Sequence, residues 1–221
     1  GEAGAVAAGV FTINRFCAAP VELCREHLKS SRAKAILINA GIANACTGDE
    51  GLRRARESAR AAGEALHVLP EEVLVASTGI IGPQILLDPV YKSIPDLVKA
   101  LRPDGWTALA QAIMTTDTVP KMASARVEIG GRTVTVGGVS KGAGMIAPNM
   151  ATLLAFVCTD AAVEPEVLSH WVRRGADHSF NSITVDGDTS TNDTLLVLAG
   201  GAAGNPVLSD VESPDSVRFG E

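Results

Sequence analysis

Aromatic residues are scarce in this sequence: two Trp, one Tyr and five Phe stand among 221 positions, 4% of the chain. Any binding site it forms is therefore expected to be built from loop backbone and small hydroxyls. Lys and Arg form no run, and 19 basic against 25 acidic side chains leave a formal net charge of −6. That balance argues against a nucleic-acid footprint. The stretch free of charge and strong polarity around Met150 to Cys158 is roughly half the ~18 to 20 residues a bilayer span needs, so a soluble protein without a membrane helix is expected. The four cysteines, at 17, 24, 46 and 158, contain no CxxC pair and no Cys/His cluster of metal-binding spacing. Free thiols in a reducing cytoplasm and no metal centre follow as expectations. The start, Gly1-Glu2-Ala3-Gly4, lacks an initiator Met, a basic leader region and an apolar leader core, so no signal peptide is expected. Val217 to Glu221 carries no evident ending, and the chain reads as a piece of a longer protein.

What is present is apolar content, 46%, with 22 Gly and 11 Pro. This supports a sizeable core in one large domain or two small ones and excludes disordered, collagen-like and low-complexity classes. Ala35 to Asn39 and Val73 to Ala76 read as short buried strands. Between them, Glu50 to Leu66 places Leu52, Ala55, Ala59, Ala62 and Leu66 near helical spacing. Strand, helix, strand order predicts an α/β arrangement. Pro20 and Pro165 open helical segments Val21 to Leu28 and Glu166 to Ala176. From Arg126 the period falls to two, with Gly130-Gly131 between Val127, Ile129 and Val134, Val136, a hairpin signal. Leu153 to Cys158 and Leu195 to Leu198 are of strand length. Charge divides unevenly: residues 152–221 hold three basic and eleven acidic groups, net −8, and residues 1–151 hold 16 and 14, net +2.

Gly, Thr, Ser and Asn concentrate in five segments: 39–48, 77–82, 114–117, 140–152 and 186–193. Such loops offer backbone N–H groups and hydroxyls to carboxylates or oxyanions; singly, each is also ordinary turn chemistry. Several familiar motifs fail on inspection. Gly142-x-Gly144-x-x-Ala147 imitates a dinucleotide fingerprint, but Pro148 stands where the helix should run. Lys141 lacks the spacing of a phosphate loop. Asp186-x-Asp188-x-Ser190 begins like a calcium loop, yet Thr191 replaces the required Gly and Val197 the bidentate Glu. The same stretch departs from the Asp-x-Asp pattern of dehalogenase-like phosphatases at Ser190 and has no Lys after it.

His27 and His170 fall in predicted helices, His67 closes one and His178 follows one, so all four read as surface or helix-end residues. No Ser-His-Asp triad is supported. A nucleophile that carries its own base remains: a Thr at a newly exposed chain start uses its α-amine, of ordinary pKa near ~8, to take the hydroxyl proton. Ala151-Thr152 suits this, a small residue before a Thr that opens an apolar strand. On local pattern alone an ordinary strand-edge Thr is the simpler account.

Lys141-Gly-Ala-Gly-Met-Ile-Ala-Pro-Asn-Met-Ala-Thr152 closely resembles the self-cleavage segment of the ornithine acetyltransferase family, the bifunctional glutamate N-acetyltransferases of arginine biosynthesis. Ser77 to Gly82, Thr115 to Lys121, Asn39 to Gly48 and Asp186 to Asp193 resemble family segments in family order, so the likeness spans essentially the whole chain. It implies a mixed, layered α/β self-processing fold, similar in architecture to the self-cleaving aminopeptidase group. It implies a cut between Ala151 and Thr152, giving an α piece over 1–151 and the start of a β piece over 152–221, associated as a heterotetramer of two α and two β chains. Thr152 matches the nucleophile that takes acetyl from N2-acetyl-L-ornithine and passes it to L-glutamate through an acetyl ester. Thr78 and Gly79 match the oxyanion positions, and Thr115 and Lys141, with Thr152, match substrate-binding positions. The family's C-terminal Glu and Asn/Thr site residues have no counterpart up to Glu221. No cofactor is implied, and acetyl-CoA stays open as a further acetyl donor. Arginine biosynthesis in the cytoplasm is the implied setting. The nearest alternative is a self-processing aminopeptidase or amidohydrolase that delivers the acyl group to water; that group uses Ser at the exposed position. A non-catalytic assembly protein that packs through its Gly-rich loops is the remaining alternative.

Overall fold

The computed structural model describes residues 4–144, 153–183 and 189–221. Eight strands and six helices alternate along these residues: β1 Ala5–Phe11, α1 Ala19–His27, β2 Arg32–Ala33, β3 Ala35–Ile42, α2 Gly48–Leu66, β4 Val73–Ile80, α3 Leu87–Lys99, α4 Trp106–Ala112, β5 Lys121–Ile129, β6 Arg132–Lys141, β7 Leu154–Thr159, α5 Pro165–His178, β8 Thr194–Ala199 and α6 Pro214–Gly220. Six strands form one sheet in the order β2-β1-β8-β7-β6-β5, and β3 and β4 form a separate parallel pair. The mixed α/β expectation holds.

Strand alternation sorts the core into two. Leu154, Phe156 and Leu196 face the β3–β4 pair and helices α1 and α2. Their neighbours Ala155, Leu195 and Val197 face α5 and its Val167, Leu168 and Trp171. The layers therefore run helix, sheet, sheet, helix. β4 lies between layers, which is why Val73, Leu74, Val75 and Ala76 are all buried in an uninterrupted apolar run. α2 presents small residues, Ala55, Ala59 and Ala62, to the interior, and Leu52 and Leu66 are only partly buried. Small side chains let the helix lie close to its neighbours.

The hairpin is longer than its period-two core suggested. Ile129 pairs with Arg132 across Gly130-Gly131, whose φ values of 53° and 75° suit the left-handed two-residue turn. β6 continues through Gly137 and Gly138 because β5 and β7 pair with it on both sides. A Cβ at Gly138 would come within 2.8 Å of the Phe156 carbonyl oxygen, so the close strand approach uses the glycine. β1, β2, α3, α4 and α6 were not anticipated. β1 is Ala- and Gly-rich and becomes a strand through pairing with β8 over Val6 to Phe11, and α3 tolerates Pro95 within its span. The expected helix starts shift by one or two residues, with Pro20 and Pro165 in the first turn as expected.

His27 departs from a surface reading: it ends α1 but is buried, with Nδ1 2.9 Å from the Val73 carbonyl oxygen. His67 caps α2 in the left-handed conformation and is exposed, and His170 is exposed against Trp171. His178 is the last residue of α5. Cys24 Sγ donates to the Val75 carbonyl at 3.0 Å and accepts the Val75 N–H at 3.2 Å, tying α1 to β4, and burial pushes its thiol up to about 12. Among the described residues, all four cysteines are free thiols. No helix of the described residues is long and apolar enough to cross a membrane.

Candidate active site

Strand ends create the site. β3 and β4 are parallel and end together, Ile42 opposite Ile80. β6 runs antiparallel to β7, so its last residue, Lys141, lies beside the first of β7, Leu154. β7 and β8 are parallel and start together, Leu154 opposite Thr194. These ends meet around a cleft of about 580 Å³ lined by Thr78, Gly79, Thr115, Lys141, Gly144, Leu153 and Asp193, among others. Four of the residues singled out from sequence, Thr78, Gly79, Thr115 and Lys141, thus share one concavity although 63 positions separate the first from the last. Ala151 and Thr152 lie outside the described residues; Leu153 directly after them and Gly144 before them line the cleft.

Two adjacent residues at the end of β4 differ in exposure: Thr78 is buried, and Gly79 is exposed. Gly79 has φ +132°, and a Cβ there would sit 2.2 Å from the Gly41 carbonyl carbon. No other residue fits that crossing without moving β3. Lys141 is 3% exposed and donates from Nζ to Thr115 Oγ1 at 3.0 Å. Burial pushes its pKa down, and Asp117 and Asp193 pull it back up. A buried cation bonded to a neutral hydroxyl is unfinished chemistry, suited to an incoming carboxylate.

Sequence reasoning assigned no role to three polar residues that hold this arrangement. Asp117 Oδ1 accepts from Lys121 Nζ at 2.5 Å and from the Gly142 N–H at 2.8 Å. Burial opposes its ionisation, but those bonds keep the carboxyl below the ordinary range. Asn192 Nδ2 donates to the Ala43 carbonyl at 2.6 Å and to the Ser77 carbonyl at 2.8 Å, joining the six-stranded sheet to the strand pair. Asp193 is 1% exposed and accepts the Leu153 N–H at 2.9 Å through Oδ1. Burial pushes its carboxyl up to about 7, against the pull of the Leu153 N–H, Ser190 and Lys141. The available signal was that all three lie inside the polar segments already noted.

The described residues contain no group of three or more His, Cys, Asp or Glu able to hold a metal ion. A second concavity of about 540 Å³, lined by Trp106, Met122, Ser124, Cys158 and Asp160, lies on β5 to β7 away from these groups.

A layered α/β body with its polar loops gathered at one set of strand ends defines a class, and comparison narrows it. The fold is the self-processing Ntn-hydrolase-like one of solved ArgJ structures. ArgJ from Bacillus halodurans superposes with a TM-score of 0.59 at 34% identity, over 68% of this chain and 96% of that chain. Ornithine acetyltransferase from Mycobacterium tuberculosis, solved in complex with ornithine, does so with a TM-score of 0.59 at 34% identity, over 70% of this chain and 80% of that one. The PH0078 protein of Pyrococcus horikoshii, 13% identical with a TM-score of 0.50 over 90% of this chain and 61% of its own, shares the fold alone.

The family model described as the ArgJ family matches residues 1–220, and the chain belongs to that family. The arginine biosynthesis bifunctional protein ArgJ of Symbiobacterium thermophilum is 56% identical over 200 residues, 90% of this chain and 50% of that protein. Its namesake in Geobacter sulfurreducens is 50% identical over 209 residues, 95% and 53% of the two chains. The chain spans about half the length of the curated relatives it matches.

Asp193 also sets a pH dependence of stability. Its carboxyl ionises near ~3.9 in an unfolded chain and at about 7 in the fold. Between those values the folded state keeps a proton the unfolded state has lost, so stability from this group falls as pH rises from about 4 to about 7. Asp193→Asn removes the cost. Relative to wild type, its Tm is expected to be higher at pH 8 than at pH 5 by several °C. Thermal unfolding at both pH values checks this; an equal offset at the two contradicts it.

Proposed function

We propose that this chain is the N-terminal half of a glutamate N-acetyltransferase that moves an acetyl group from N2-acetyl-L-ornithine to L-glutamate in arginine biosynthesis. Autoproteolysis between Ala151 and Thr152 separates an α portion, 1–151, from a β portion that begins with the nucleophile Thr152. The observation that carries the reading is convergence. Leu153, which follows the proposed cut, and Lys141 to Gly144 of the segment that carries it meet at the cleft that also holds Thr78, Gly79 and Thr115.

The chemistry follows from the residue types. Thr152 Oγ attacks the acetyl carbonyl while its α-amine takes the hydroxyl proton. The hydroxyl of Thr78 and the N–H of Gly79 receive the negative charge that develops on the carbonyl oxygen. The C–N bond breaks, the proton passes to the departing ornithine amine, and acetyl remains as an ester on Thr152. Glutamate enters, its amine attacks the ester, and Thr152 is regenerated. Lys141, seated against Thr115, binds the α-carboxylate that donor and acceptor share. This explains how one pocket serves both half-reactions. The bound ornithine named for the Mycobacterium tuberculosis relative accords with this donor. The same reading takes the α and β pieces as a cytoplasmic heterotetramer of two each, with no cofactor. Acetyl-CoA is a further acetyl donor to be assayed separately.

The full-length protein should run as two pieces on a denaturing gel, and Edman sequencing of the piece that starts after the cut should read Thr152-Leu153-Leu154. A single band in wild type, unchanged by Thr152→Ala, would remove the mechanism. Thr78→Val should lower the transfer kcat about a hundredfold with the fold intact; an unchanged kcat takes Thr78 out of the oxyanion role. Lys141→Ala should raise KM for acetylornithine at least about tenfold, the ~1.4 kcal/mol or more of a lost charged hydrogen bond, and leave self-cleavage in place. Equal KM values would sink that assignment.

A further inference from the structure

The polar segment from Thr115 to Lys121 gives the mechanism above only its first residue. Its two charged residues, Asp117 and Lys121, are left without a chemical role. Lys121 opens β5 opposite Ser140, the residue before Lys141 in β6. Asp117 Oδ1 accepts from Lys121 Nζ at 2.5 Å and from the Gly142 N–H at 2.8 Å, and Oδ2 lies 3.5 Å from the Thr115 nitrogen. One carboxylate therefore ties together the start of β5, the end of β6 and the loop that carries Thr115. The Asp117 side chain is 1% exposed and that of Lys121 42%, so the negative end of the pair is buried and the positive end reaches water.

Lys141 is buried and donates to the neutral hydroxyl of Thr115 at 3.0 Å. An ammonium so placed depends on nearby negative charge. Among the described residues, three charged groups act on it: Asp117 of the α4–β5 loop and Asp193 before β8 favour its charge, and Lys121 of β5 opposes it. Asp193 takes up its proton near pH 7, whereas Asp117 is held below the ordinary carboxylate range by its bonds to Lys121 and Gly142. Asp117 is thus the negative charge that persists at and below neutral pH. A free carboxylate beside Lys141 would compete with a substrate carboxylate for the same ammonium. Lys121 prevents that by engaging Asp117 itself, and Lys141 is left bonded to Thr115 alone among the described residues.

We propose that Asp117 and Lys121 are positioning residues for the carboxylate-binding Lys141: Asp117 clamps the Thr115 loop to the end of β6 and supplies the negative charge against which the buried ammonium is held, and Lys121 limits that charge so that the ammonium stays available to substrate. The inference deepens the acetyltransferase reading and rests on its assignment of Lys141 to the α-carboxylate. It gives the rest of the segment a purpose: three residues within seven positions carry the acceptor, the charge and the counter-charge for one lysine on another strand.

The test compares the full-length enzyme with Asp117→Asn and Lys121→Gln, measuring KM for N2-acetyl-L-ornithine against pH. Asn keeps an oxygen for the Gly142 N–H without the charge, and Gln keeps an N–H donor without the charge. For each enzyme the quantity read is the pH at which KM has doubled from its own low-pH value, so the substrate's own titration cancels. Without Asp117's charge two lysines face each other, and the doubling should come at least about half a pH unit earlier than in wild type. Without Lys121 the field of Asp117 falls on Lys141 undivided, and the doubling should come later than in wild type. A merely structural clamp would raise KM in both variants by a factor independent of pH and leave the doubling where it was. That result, or any other than displacement in opposite directions, overturns the proposal. Should Asp117→Asn not fold, Lys121→Gln decides alone: a doubling at or below the wild-type pH overturns it. An unchanged KM in Lys141→Ala refutes this inference together with the assignment beneath it. A raised KM in Lys141→Ala with undisplaced profiles in the two variants refutes this inference alone.

Discussion

Parallel pairing of β7 with β8 is the constraint on which the site depends. Two parallel strands that start together place the residues before them side by side, and here those residues are Leu153 and Asp193. Everything else in the cleft is aligned to this origin. β6 returns antiparallel to β7 and delivers Lys141 at the same level, and β1 returns antiparallel to β8 with Phe11 opposite Thr194. Asn192, one residue before Asp193, reaches across to the Ala43 and Ser77 carbonyls. A one-residue slip of β8 would turn its apolar residues to the wrong faces and also remove both the Leu153 anchor and the link between sheets.

The electrostatics of the site are those of burial without full pairing. Lys141 and Asp193 are both nearly inaccessible, and burial moves each toward its neutral form. Asp117 contrasts with them: an ion pair with Lys121 and the Gly142 N–H keep it charged, and it braces the Lys141–Gly142 backbone. Burying incompletely paired groups costs stability, and such costs concentrate where ligands are bound and protons moved. Scarce aromatics and abundant glycine suit the same design, since close backbone approach at Gly79 leaves no room even for a methyl group.

Much of this was legible in the sequence. The β3, β4, β7 and β8 runs, α2, and the Gly130-Gly131 hairpin are local signals, because apolar periodicity and turn chemistry need no partner to be read. Polar segments around Thr78, Thr115 and Lys141 marked the site through residue type. β1 escaped notice because Ala5–Phe11 has weak strand propensity and owes its conformation to pairing with β8. Gly137 and Gly138 likewise lie inside β6 through pairing with β5 and β7 on both sides. Asp117, Asn192 and Asp193 could be seen but not assigned, since the Gly142, Leu153, Ala43 and Ser77 groups they bind lie 25 to 149 positions away and are brought to them by the fold. Burial of His27 against Val73 likewise depends on how α1 packs on β4.

Covalent acetylation of Thr152 is the claim that ties cleft, cut and family together. It is tested most directly by intact-mass analysis of the β piece after the processed full-length enzyme meets N2-acetyl-L-ornithine alone and is quenched in acid. The expected result is a gain of one acetyl group, located at Thr152 by fragmentation and lost when glutamate is added before the quench. A β piece that never gains acetyl while acetylglutamate still accumulates would contradict a covalent intermediate.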